Sequence, residues 1–249
     1  MKKRSISLII CLSILLSIIS PRTCFATEED SENISNQIVQ REVSVDNYHR
    51  EQDDVVSDIR AAMESHETNF TVYYVTETEL TQSNLVSLME LALAETGIAT
   101  QGDYIRHAMA SYDVDGIYGI VGTEKYYQIT YSISYFTTAE QEAELSARVD
   151  EVLTEMAFTD KTTDYEKIKT IYDYVCKNVV YDDVNLEDDS YLLKHSAYAA
   201  LINGTAVCQG YANLLYRMLM EVGITTRYIG CPIRFNGTPV SDDRCGQFG

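Results

Sequence analysis

The chain has 249 residues, 19 Lys and Arg against 38 Asp and Glu, a formal net charge of −19, 45% hydrophobic residues and no Trp. That apolar share, with charged residues at 23%, supports a packed core and excludes a wholly disordered, collagen-like or low-complexity chain. The acidic balance, without any basic stripe, argues against nucleic acid and anionic membrane surfaces as partners, since both need clustered Lys and Arg.

Lys2, Lys3 and Arg4 precede an apolar run from Ile6 to Ile19, followed by Pro21 and the triplet Cys24-Phe25-Ala26. A basic start, an apolar stretch and a small-x-small ending predict a secretory signal peptide over residues 1–26; the run is shorter than the ~20 residues of a spanning helix. The mature protein is therefore expected outside the cell or at its surface, with no membrane contact beyond the signal. Cys11 and Cys24 leave with the signal, and Cys176, Cys208, Cys231 and Cys245 remain. Four cysteines in so long a chain make no disulfide scaffold, and their spacing lacks the Cys-x-x-Cys of a structural zinc site. Neither a metal nor a cofactor is expected.

Residues 27–53 are polar and acidic without sustained periodicity and are expected to form a disordered arm. Residues 54–137 predict a small α+β module. Val55, Val56, Ile59 and Met63 make a helical stripe, Thr68 to Thr76 reads as a strand, and Asn84 to Glu95 resumes helix, with Gly97 as its stop. Tyr127, Ile129, Tyr131, Ile133 and Tyr135 stand at a strict period of two, the mark of a half-buried strand. Asp113-Val114-Asp115-Gly116 resembles part of a calcium loop but lacks its later ligands, and is read as a turn.

Residues 138–249 form the second predicted domain. Thr138 with Gln141 and Thr163 with Glu166 are capping boxes. The first opens a helix with Leu145, Val149, Val152, Leu153 and Met156 inward. The second opens one with Ile168, Ile171, Tyr172, Val175 and Cys176 on one face, which makes Cys176 a packing residue. Val179 to Tyr181 is extended, and Asp182 to Asp189 is an acidic, solvated loop. His195 to Asn203 reads as a short helix, Gly204-Thr205 as a break, and Cys208 opens a helix striped by Tyr211, Leu214, Leu215, Met218, Leu219 and Val222, with Gly223 as C-cap. Counted along that stripe, the Cys208 thiol faces inward from the first turn. Positive charge at a helix start favours thiolate, the usual device behind a reactive cysteine.

Three segments together carry a resemblance: Tyr172-Asp173-Tyr174-Val175-Cys176-Lys177-Asn178-Val179-Val180-Tyr181, Ser196-Ala197-Tyr198-Ala199-Ala200-Leu201, and Gly204-Thr205-Ala206-Val207-Cys208-Gln209-Gly210-Tyr211-Ala212. They resemble the transglutaminase-like superfamily of thiol enzymes over residues 138 to 230. The resemblance implies an α+β fold with a papain-like core, helices followed by an antiparallel sheet, in which Cys208 is the catalytic nucleophile. It also implies a His and an Asp on strands after the Cys helix. No His follows Cys208, and Asp242 and Asp243 have none to orient; the domain is therefore expected to be C-terminally incomplete, its sheet part truncated or frame-shifted near residue 231, or else the protein is a degenerate member of the family. His195 is read as a helix-face or capping residue.

Two functions follow. The first is an exported enzyme performing acyl transfer or hydrolysis at Gln side chains or peptide bonds of extracellular or envelope proteins, through a Cys208 thioester. The alternative is a secreted surface or binding module that keeps the fold without the chemistry.

Overall fold

In the computed structural model the described residues are 38–229. The signal peptide, the first part of the expected arm and the sequence after Ile229, including Cys231, Cys245, Asp242 and Asp243, lie outside them. The fold is α+β, with helices and a mixed sheet.

Strand β1 (Ile38–Gln40) is followed by helix α1 (Gln52–Glu64), strand β2 (Asn69–Thr76), helix α2 (Gln82–Ala92), the short helix α3 (Asp103–Ala108) and the long hairpin β3 (Met109–Val121) and β4 (Glu124–Tyr135). These strands form one sheet in the order β1-β3-β4-β2, with β1 parallel to β3 and the other pairs antiparallel. The expected arm thus contains regular structure: Ile38 to Gln40 pair with Gly116 to Tyr118, and His49 bridges to Tyr74. Main-chain hydrogen bonds order this stretch where a composition argument, which weighs only side chains, saw none.

Asp113 to Gly116 lies within β3 and is not a turn. Val114 is buried while Asp113 and Asp115 point to solvent, the alternation of a strand with one buried face. The chain reverses at Gly122, whose positive φ of 65° suits a two-residue hairpin loop. Helices α1 and α2 cover one face of the sheet. Val55, Ile59, Met63, Leu85 and Met89 pack on Phe70, Val72, Tyr127, Ile129 and Tyr131. The two buried tyrosines keep their hydroxyls paired: Leu80 N donates to Tyr127 (2.9 Å) and Tyr131 donates to Leu85 O (2.9 Å).

The remaining elements are helix α4 (Ala139–Glu155), helix α5 (Asp164–Asn178), strand β5 (Val180–Tyr181), a 3₁₀ turn at Leu192–His195, a π turn at Ala199–Asn203, strand β6 (Thr205–Ala206) and helix α6 (Cys208–Glu221). Both capping boxes form, with Thr138 accepting from Gln141 N and Thr163 from Glu166 N. Leu145, Val149, Ile171, Val175, Leu214 and Met218 make the second core. Here β5 and β6 pair in parallel; the antiparallel sheet implied by the family resemblance falls outside the described residues.

Helix α5 presents a different face from the expected one. Its buried row is Ile171 and Val175, while Ile168, Tyr172 and Cys176 are exposed. The two rows are adjacent and both apolar, so periodicity alone does not say which is inside. Cys176 is not a packing residue; its sulfur instead partners the exposed Tyr172 hydroxyl one turn earlier.

Candidate active site around Cys208

Cys208 is the first residue of α6 and is exposed, not turned inward. Helix α6 buries the row of Gly210, Leu214 and Met218. Cys208 lies about a third of a turn away from it at 100° per residue, which aims the sulfur outward. No side chain caps this helix: Val207 is the extended N-cap residue, so the first-turn N–H groups have no partner within the helix.

Local structure fixes where the helix begins. Gly204 ends the π turn in the left-handed conformation (φ 70°), which directs the chain into β6. Strand β6 pairs with β5, through Val180 N to Gly204 O (2.8 Å) and Asp182 N to Ala206 O (3.0 Å). Val207 N donates to Lys194 O at 3.0 Å. A Cβ on Gly210 would lie 2.7 Å from Ala206 Cβ, 2.8 Å from Ser196 O and 3.0 Å from Lys194 O, so only glycine allows the helix to seat this closely.

Pairing of β5 with β6 brings Tyr181 to the thiol. Its hydroxyl accepts from the Cys208 N–H, while its ring stacks near Tyr211 at 6.4 Å between centroids. Burial raises the Tyr181 hydroxyl above its ordinary range, the Cys208 sulfur and Asp183 add to this, and the Cys208 N–H acts in the opposite sense. Tyr228 also feels the thiol: its hydroxyl is pushed up to about 12 by burial first and by the Cys208 sulfur second. Cys208 thus lies in the neighbourhood of two tyrosines from separate segments.

The acidic loop after Tyr181 is more organised than a solvated loop. Glu187, Asp188 and Asp189 are exposed, but Asp182 is buried and accepts from Asn185 N and Nδ2. Lys194, only 2% exposed, enters the loop and donates to the carbonyls of Asn185 (2.8 Å), Leu186 (2.9 Å) and Asp188 (2.8 Å). Three donors meet three acceptors, which satisfies a buried ammonium without a carboxylate. Among the described residues, no group of three or more His, Cys, Asp or Glu could hold a metal ion.

His195 ends the 3₁₀ turn and is not part of a helix running to Asn203. Its ring lies 5.2 Å from that of Phe136, and its buried Nδ1 has no hydrogen-bond partner. Burial first, and Lys194 second, lower its affinity for a proton, against the pull of Asp189. His107, at the end of α3, stands nearer the thiol region: its ring stacks on Tyr228 at 3.6 Å between centroids. Its main-chain oxygen accepts from Gln209 Nε2 and Asn213 Nδ2, each at 3.0 Å. Asn213 Nδ2 also donates to His195 O at 3.1 Å.

Gln209, Asn213, Lys194, Asp103 and His107 escape sequence reasoning because a periodicity argument assigns polar residues to outer faces. The one usable signal was Gln209 and Gly210, polar and small, in the first turn of an otherwise apolar helix. A cavity of about 240 Å³ lies elsewhere, lined by His66, Tyr104, Glu142, Ser146 and Arg217, and does not include Cys208.

The described residues therefore form an α+β protein in which an exposed cysteine opens a largely buried helix. Residues 152–244 match the family model of the transglutaminase-like superfamily, a span that comprises the end of α4, α5, α6 and the sequence up to residue 244. The match runs past residue 231, where the sequence reading set a break. No curated protein matches the chain.

Proposed function

We propose that the protein is an exported thiol enzyme of transglutaminase type, acting on Gln side chains or peptide bonds of extracellular or envelope proteins, with Cys208 as nucleophile. The observation that carries this reading is the exposed thiol on the first residue of α6, inside the matched region and held there by contacts from several segments. The sulfur attacks the carbonyl carbon, the carbon–nitrogen bond breaks, and ammonia or an amine leaves with the proton. The acyl group remains on sulfur as a thioester, which an amine or water then attacks, restoring the thiol. First-turn N–H groups are suitable donors for the oxyanion of each tetrahedral intermediate. The basic, short apolar and small-residue pattern of residues 1–26 supports export.

Competitive alkylation tests the nucleophile. Cys208 and Cys176 are both exposed, so access does not separate them. With limiting iodoacetamide near neutral pH, Cys208 is expected to react about tenfold faster, as a nucleophilic role demands a more reactive sulfur than that of an ordinary exposed thiol. Equal, slow reaction at both sites would support the second class of function, a binding module without acyl transfer.

A further inference from the structure

Helix α3 runs directly into β3 of the four-stranded sheet and places Ile105 in the first core and Tyr104 in the second, and several of its contacts lie on the segments around Cys208. At one end, Asp103 Oδ2 accepts from Arg227 Nε (2.8 Å) and from the Tyr228 main-chain N–H (3.0 Å), and Oδ1 accepts from Arg227 Nη2 (3.4 Å). At the other end, the His107 ring stacks on Tyr228 while its carbonyl receives the amides of Gln209 and Asn213. Asp103 is 6% exposed, so this carboxylate is placed by the fold and does not sample solvent as a surface ion pair would. Glu95, just before α3, adds a contact by accepting from the Tyr216 hydroxyl at 2.8 Å.

We infer that Asp103 is a positioning residue for the thiol site: from helix α3 it clamps Arg227 and the Tyr228 amide, and with His107 stacked on the ring it holds Tyr228 as one wall of the approach to Cys208. This rests on the reading of Cys208 as the reacting thiol. Residues 224–229 have no helix or strand of their own, so the contacts to Asp103 and His107 tie Tyr228 to the rest of the fold. A fixed aromatic wall restricts the directions from which a substrate reaches sulfur, and gives the aliphatic stem of a glutamine side chain an apolar surface to lie against. Helix α3 then contributes to the site itself.

The test is the steric selectivity of Cys208 in the full chain, measured as the rate with a bulky aryl maleimide relative to iodoacetamide, with Cys176 as internal reference. Asp103→Ala is expected to raise this ratio about fivefold at Cys208, the scale on which a displaced positioning group alters reactivity, and to leave Cys176 unchanged. Asp103→Asn, whose amide oxygen still accepts from the Tyr228 N–H, is expected to retain most of the wild-type selectivity. Tyr228→Ala removes the wall without touching the clamp, and should reproduce the rise. An unchanged ratio in folded Asp103→Ala overturns the inference; if that variant does not fold, an unchanged ratio in Tyr228→Ala does so. Slow reaction of wild-type Cys208 with iodoacetamide would instead count against the nucleophile itself, so the two failures are separable.

Discussion

Gln209, the neighbour of Cys208, donates from Nε2 to the main-chain oxygen of His107, 3.0 Å away and 102 positions earlier in the chain. Asn213, one helical turn further on, donates to the same oxygen. Both amides are buried, so the oxygen has little access to water once they are removed. Gln209→Ala leaves Asn213 as its remaining amide donor and is expected to cost about 1 kcal/mol; Gln209→Ala with Asn213→Ala is expected to cost about 3 kcal/mol, because His195 O also loses a partner. Urea unfolding checks this, and a double variant as stable as either single one would contradict it.

Lys194 carries the order of the acidic loop. Lys194→Met keeps most of the apolar stem but leaves the carbonyls of Asn185, Leu186 and Asp188 without their shared donor. Stability is expected to fall by about 3 kcal/mol. Proteolysis within residues 183–189 should accelerate in parallel, and an unchanged digestion pattern would count against the ammonium as organiser of the loop.

Gly210→Ala sets a methyl carbon against two carbonyl oxygens and Ala206, at distances no relaxed structure keeps. Helix α6 must move, at a cost of about 2 to 3 kcal/mol. Because Gly210 lies in the same first turn of α6 as Cys208, the alkylation rate of Cys208 is expected to change while that of Cys176 does not. A crystal structure of the variant with α6 unmoved would contradict the argument.

Histidine burial predicts how stability depends on pH. Burial holds the His107 imidazole down at about 4; Arg106 adds to this and Asp103 opposes it. Between there and the ordinary value near 6.5 the unfolded chain binds a proton that the folded chain refuses. Stability is therefore full above about pH 6.5 and falls as the pH drops toward 4, by up to about 3 kcal/mol from this group. His195 shifts in the same direction. Asp103 behaves oppositely: burial raises its carboxyl, but Arg227 and the Tyr228 N–H outweigh that and leave it below the ordinary range. Its contribution is present above the ordinary carboxylate value and lost only as pH falls through the lower folded value. Thermal midpoints should decline from neutral pH to about pH 5, and His107→Gln should flatten that decline. A midpoint that stays level over this interval in the wild type would contradict the burial argument.

Legibility followed the strength of each periodic signal. The five alternating residues from Tyr127 to Tyr135 and the stripe from Val55 to Met63 marked buried faces well, since one period and one face agree there. The two Thr capping boxes marked helix starts for the same local reason. Asp113 to Gly116 misled because Asp and Gly favour turns, whereas pairing on both sides of β3 overrides that preference. Cys176 and Cys208 misled because a stripe count fixes a helix's period but not its rotation about the core. Cys208 was singled out by the Val-Cys-Gln-Gly-Tyr-Ala block, a local pattern. Tyr181, Tyr228, Asp103 and His107 carried no such signal, because contacts between residues far apart in the chain leave no local pattern.

The central claim is that Cys208 carries an acyl group. Intact-protein mass spectrometry of the full chain after brief incubation with an activated acyl ester tests it most directly, with peptide mapping to locate the adduct. The account predicts a single adduct on Cys208 that a primary amine removes by transfer, and its loss in Cys208→Ala. Acylation spread over surface lysines, unchanged in Cys208→Ala, would contradict it.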